Sequence, residues 1–158
     1  MRHAIAASLG ALVCLLPLNA ARADWEYAKW GMTPEQVAAA SRGAVKVIAP
    51  AQRKRLAEIK LENAAEGTYA EGTLTLRVHF SFDTDSGGLA MVGYGVLNAA
   101  QNGLLKAWLI KRHGPPQSSG GLPAIGFQTF HWRNPDEIDL NITENESAYV
   151  LHAKASKR

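Results

Sequence analysis

The stretch Thr73-Leu74-Thr75-Leu76-Arg77-Val78-His79-Phe80-Ser81-Phe82 decides how this chain folds. Leu74, Leu76, Val78, Phe80 and Phe82 recur at every second position, and Thr73, Thr75, Arg77, His79 and Ser81 fill the gaps. Strand side chains alternate between two faces, whereas helical ones return about every 3.6 residues. A strict period of two predicts a strand with one buried and one wetted face, the usual condition of an antiparallel sheet. Asp83-Thr84-Asp85-Ser86-Gly87-Gly88 follows. These residues bond their own backbone or accept left-handed conformations, so they read as a turn. Residues 89–97 return as the second strand of a hairpin.

Outward from this hairpin the grammar stays legible in most places. Thr33 is placed as a helix N-cap, Pro34 at the first helical position and Gln36 three residues on, which makes a capping box. Met32 and Val37 have the spacing of a hydrophobic staple. A second helix is expected over residues 99–113, with Asn98 and Gln101 as cap and Leu97, Leu104, Leu105, Trp108 and Leu109 as its apolar stripe. Lys111, Arg112 and His113 suit its C-terminal dipole, and Gly114-Pro115-Pro116 stops it. Residues 117–126 read as a flexible loop. Strands are expected over residues 127–133, around Ile138, Leu140 and Ile142, and over residues 148–154. Residues 45–72 carry little periodicity: a short strand at Val45, Val47 and Ile48, a helix or turn over residues 50–57, then extended chain. The order predicts an α+β fold, an antiparallel sheet of four to five strands with two helices packed on one face.

The 158 residues begin like an exported protein. Arg2 and His3 precede an apolar stretch over residues 4–18, and Ala21-Arg22-Ala23 places small residues where a signal peptidase needs them. Residues 1–23 are thus expected to be a secretory signal cleaved after Ala23, and residues 24–158 a single domain in the periplasm. Arg2 and Arg22 fall in that segment and no acid does. The balance of 17 Lys and Arg against 14 Asp and Glu then becomes nearly neutral, which argues against nucleic-acid binding. The one cysteine, Cys14, lies in the same segment, so the domain is expected to have no disulfide and no thiolate metal site. No later apolar run is long enough for a transmembrane span.

At Trp30-Gly31-Met32-Thr33-Pro34-Glu35-Gln36-Val37 the chain resembles the W-G-M-[ST]-x-E-x-V opening of small, mostly uncharacterised proteobacterial periplasmic proteins. More distantly, its capped short helix after a signal looks like the small outer-membrane-assembly lipoproteins and the related beta-lactamase-inhibitor-protein fold. The resemblance implies a compact α+β domain in the envelope and carries over no catalytic residues.

Candidate chemistry is sparse. Asp83-x-Asp85-x-Gly87-Gly88 starts like a calcium loop, but Gly87 and Tyr94 occupy positions that need ligands. His79 and His131 could meet if their strands were neighbours, yet two histidines make a poor zinc site. No serine sits in a strand-to-helix elbow. Gly93-x-Gly95 reads as a bulge or a close approach. Asp136, Glu137 and Asp139 read as a solvated face, and Arg53-Lys54-Arg55 as a basic run that could touch anionic lipid or polysaccharide. Trp30, Trp108 and Trp132 are expected in the core, with Trp25 and Tyr27 nearer the surface. The expectation is a non-catalytic accessory or binding module, with no cofactor, that recognises an envelope protein or a cell-wall or lipid component. Its candidate partner contacts are Trp25, Tyr27, Arg77, His79, His131, Trp132 and Arg133. A small-ligand carrier with a pocket between helix and sheet is the first alternative. A small hydrolase is the second.

Overall fold

The computed structural model describes residues 24–133 and 135–155, so the signal reading lies outside the described residues. In chain order the elements are β1 (Asp24–Trp25), β2 (Ala28–Lys29), α1 (Pro34–Ala40), β3 (Val45–Val47), β4 (Lys54–Leu56), β5 (Leu61–Glu71), β6 (Leu74–Asp83), β7 (Leu89–Val96), α2 (Asn102–His113), β8 (Ser118–Leu122), β9 (Phe127–Trp132), β10 (Glu137–Ile142) and β11 (Tyr149–Ala153). Strands β1 and β2 make a small separate hairpin. The other nine form one antiparallel sheet in the spatial order β3-β5-β6-β7-β11-β10-β9-β8, with β4 also pairing with β5.

The expectation of four to five strands is therefore corrected: one sheet of nine strands, with two α-helices among the described residues, makes this a sheet-dominated fold. The additional strands leave little trace in sequence for definite reasons. Strand β5 turns Ala65 and Gly67 toward the core, opposite Phe80 and Val78, so small residues stand where apolar bulk would have shown a pattern. Any Cβ on Gly67 would meet the Ala44 carbonyl oxygen at 2.1 Å, so close packing excludes a larger residue. Strand β8, read as a flexible loop, is an edge strand exposed along its whole length, so burial imposes no alternation on it.

The decisive strand behaves as its alternation requires. Leu74, Leu76, Val78, Phe80 and Phe82 are buried on the inner face, where Val92, Tyr94, Val150, His152, Ile138, Leu140 and Trp132 extend the same layer across the sheet. Both helices reach this core. Helix α1 contributes Val37, and its capping box is formed, with the Gln36 backbone N–H donating to Thr33 and the Thr33 N–H to the Gln36 side chain. Helix α2 contributes Leu105, Trp108 and Leu109. It starts later than expected, at Asn102 after a single 3₁₀ turn, and Asn98 makes no side-chain cap. Leu97 and Leu104 stay exposed, because the stripe is narrower than its spacing suggested.

Trp25 is only 2% exposed, which corrects its expected place near the surface. The β1–β2 hairpin folds over the sheet and sets the Trp25 ring edge-on to Tyr27, Tyr69 and Phe80, with centroids 5.4–5.7 Å apart. Such edge-to-face pairs add roughly 0.5–1.5 kcal/mol each beyond the area they bury. A polar clamp closes this end of the core. Arg112 pairs with Glu26 and Glu71 and lies over the Trp108 ring, while Trp108 Nε1–H donates to Glu71.

Two bulges bend the sheet at one level. One falls in β5 between Asn63 and Ala65, the other in β7 opposite Ser81 and Phe82. Bulges sharpen local twist and re-aim side chains. Here they flank β6 from both sides and curl its end.

Candidate functional site

The outer face of the sheet carries the residues that alternation excludes from the core. On β6 these are Thr75, Arg77, His79 and Ser81. Glu66 and Thr68 lie beside them on β5, Gly93 and Gly95 on β7, and Tyr149 and Leu151 on β11. The buried side chains of both helices, Val37, Leu105, Trp108 and Leu109, belong to the core on the opposite face.

Local sequence makes the face hollow. Gly93 and Gly95 leave the middle of β7 without side chains, and the Tyr149 ring lies against the gap. A Cβ on Gly93 would sit 2.1 Å from the Tyr149 hydroxyl, and one on Gly95 would sit 2.6 Å from the Ala148 carbonyl oxygen. The Gly93-x-Gly95 spacing thus reports a close approach. Burial raises the Tyr149 pKa.

Three adjacent depressions open here. One of about 610 Å³ lies over Lys46, Glu66, Thr68, Arg77 and His79. A second, of about 270 Å³, joins Arg77 and His79 to Gly95, Leu97 and Tyr149. A third, of about 450 Å³, runs over Leu56, Ile59, Met91, Leu151 and the Tyr149 ring, with Lys54 and His79 at its margin. His79 lines all three. Ser81 and Asn63 seal part of the floor with a side-chain hydrogen bond of 2.5 Å.

The charges divide between committed and uncommitted groups. Arg53 and Arg55 of the basic run both bind Glu62, at 3.1 and 3.2 Å. The hydrogen bond from Arg55, with help from Arg53, lowers the Glu62 pKa against the opposing effect of desolvation. His79 Nδ1 lies 3.7 Å from Glu66. Among the described residues, Arg77, Lys46 and Lys54 make no ion pair.

The other expected contacts fall elsewhere. Trp132 is fully buried and donates its indole N–H to the Gly114 carbonyl, so it is no surface contact. Tyr27 is half-buried beside Trp25. His131 and Arg133 lie far across the sheet, with β7, β11 and β10 between the β9 strand of His131 and the β6 strand of His79, so the two histidines do not meet. His131 Nδ1 instead sits 2.5 Å from Asp139, and Arg133 donates to the same carboxylate oxygen at 2.6 Å. Desolvation pushes the Asp139 pKa up, and the hydrogen bonds and charges of His131 and Arg133 outweigh it, leaving it lowered. Thr129 Oγ lies 3.4 Å from His131 Nε2, too long for a strong bond, and the cross-strand group reads as a polar ladder. No group of three or more His, Cys, Asp or Glu suited to a metal occurs among the described residues.

The turn at Asp83 is as expected from sequence, and the place of Asp136 is not. Asp83 accepts from the Ser86 N–H and hydroxyl and from the Asp85 N–H, so the calcium-like segment is a self-bonded turn. Asp136 is not on a solvated face. It is 3% exposed and holds His152 at 3.0 Å, with Trp30 Nε1–H donating to the same oxygen. The sequence signal that could have found it is the odd polar residue at 152, on the core-facing phase of β11.

No described helix is long and apolar enough to cross a membrane. Comparison with family models, with curated proteins and with solved structures finds no match for this chain.

Proposed function

We propose that this chain is a non-catalytic binding module of the cell envelope, and that its recognition surface is the hollow outer face of the sheet. The observation that carries the reading is the meeting of Arg77, His79 and Tyr149 where three depressions join. A sheet face left uncovered and sunken between bulged strands suits a partner that lies across it. The signal-like residues 1–23 and the resemblance at residues 30–37 support the envelope location. Of the contacts expected from sequence, Arg77 and His79 carry the proposal.

The test compares the wild-type chain with the double variant Arg77→Glu, Tyr149→Ala as baits in crosslinked periplasmic extract. A specific partner retained by the first and lost by the second, with both melting at the same temperature, supports the proposal. Equal capture by both excludes this face.

A further inference from the structure

We propose that the outer hollow binds an anionic amphiphile, an apolar chain ending in a carboxylate or phosphate. This deepens the reading above and rests on it. The argument starts from the contrast between the two ends of the hollow. The end over β4, β7 and β11 is apolar, floored by Leu56, Met91, Leu151 and the Tyr149 ring. Ile59 lines the same end and is 57% exposed. Side chains two apart on a strand lie roughly 7 Å from each other along it, so Arg77 stands one such step from His79 and the apolar end. Arg77 has no carboxylate partner among the described residues, and Lys46 lies across the same opening.

A fully apolar ligand would leave those cations unused, and a small anion would leave the apolar floor wet. A molecule with both parts satisfies both ends. Its chain lies over Met91 and Leu151, passes the Tyr149 ring and presents its head to the Arg77 guanidinium, whose planar fork fits a two-oxygen anion. Among the described residues the hollow holds one acidic side chain, Glu66, which stands in register between Lys46 and His79, 3.7 Å from the His79 ring, while Arg77 faces Thr68 and keeps no carboxylate partner. The bulges and the two glycines explain why the floor is low enough to receive a chain.

The test titrates the whole chain, followed by amide chemical shifts, with decanoate, decyl phosphate, decyltrimethylammonium and acetate. The proposal expects saturable shifts from the first two, confined to the strands that line the hollow, β3 to β7 and β11, and none of comparable size from the others. Comparing decanoate with decyl phosphate separates a fatty-acid source from a phospholipid-like one. Arg77→Ala is expected to weaken decanoate about tenfold, the loss of one charge-assisted contact, and to leave the thermal midpoint in place. Leu151→Gln is expected to weaken binding of both anionic amphiphiles alike. Equal binding of decyltrimethylammonium, or no saturable shift with either anionic amphiphile, overturns the proposal. If that happens while the Arg77, Tyr149 double variant still loses its extract partner, the ligand class is wrong and the binding face stands.

Discussion

The two faces of one sheet are built from the same strands, yet they follow opposite rules. On β6 the inner residues Leu74, Leu76, Val78 and Phe80 are buried in the core that both helices and the hairpin share, and between them Thr75, Arg77 and His79 point to the opposite face. On β7 the inner residues Val92, Tyr94 and Val96 are large, and the outer ones in the middle of the strand are Gly93 and Gly95, with Met91 before them. Bulk is concentrated where it is buried and removed where the surface is hollow. Stability and recognition are thus assigned to alternate residues of one strand, and substitutions one position apart are expected to separate them.

The largest expected effect is on the inner face. Phe80→Ala deletes a fully buried ring that packs against Trp25, and a cost of about 3–5 kcal/mol is expected in urea unfolding. A loss below about 1 kcal/mol would contradict the assignment of this face as the core.

Next comes the buried pair. Asp136→Ala removes the one carboxylate that His152 and Trp30 share and leaves His152 unpaired, at an expected cost of about 3 kcal/mol. No equivalent loss is expected at Asp139 on the outer face, where an ion pair is partly solvated and worth under about 1 kcal/mol.

The inner face also carries a pH response. Burial, followed by the charges of His152 and Arg112, pushes the His113 pKa down to about 4 from 6.5, while Asp136 opposes the shift. The unfolded chain therefore binds the proton more readily than the folded one between those values. Stability is full above about pH 6.5 and falls as pH drops toward 4, by about 1–2 kcal/mol once solvent screening of this part-exposed ring is allowed for. His113→Gln is expected to flatten the urea midpoint across that window. An unchanged slope would place the response on another group.

Sequence legibility follows the same division. Strands β6, β7, β9, β10 and β11 and both helices could be read because burial on one side imprints a period on them. The capping box of α1 was legible because it is local chemistry. Strand β5 was not, since the middle of its core side is Ala65 and Gly67, with apolar bulk left only at the strand's ends, in Leu61 and Tyr69. Strand β8 was not, since nothing covers it. Trp25 was misplaced because a two-residue strand near the chain start gives no hint that it folds back over Tyr69 and Phe80. On the outer face Arg77 and His79 were legible by phase alone. Tyr149, Met91, Leu151 and Lys54 join them only through strand order and two bulges, which are long-range properties that no local period records.

The smallest effects sharpen the comparison most. Gly93→Ala puts a methyl group where the Tyr149 hydroxyl now lies, so the ring must swing outward. Because the clash is with the far end of a side chain, the expected loss is only about 1 kcal/mol. Arg77→Ala touches no ion pair or core residue and is expected to stay within about 0.5 kcal/mol. Combining Gly93→Ala with Tyr149→Ala removes the obstacle and should recover most of the loss, a coupling that a double-mutant cycle measures directly. If the two changes simply add, the tyrosine does not rest on the glycine gap, and the hollow owes its depth to the bulges alone.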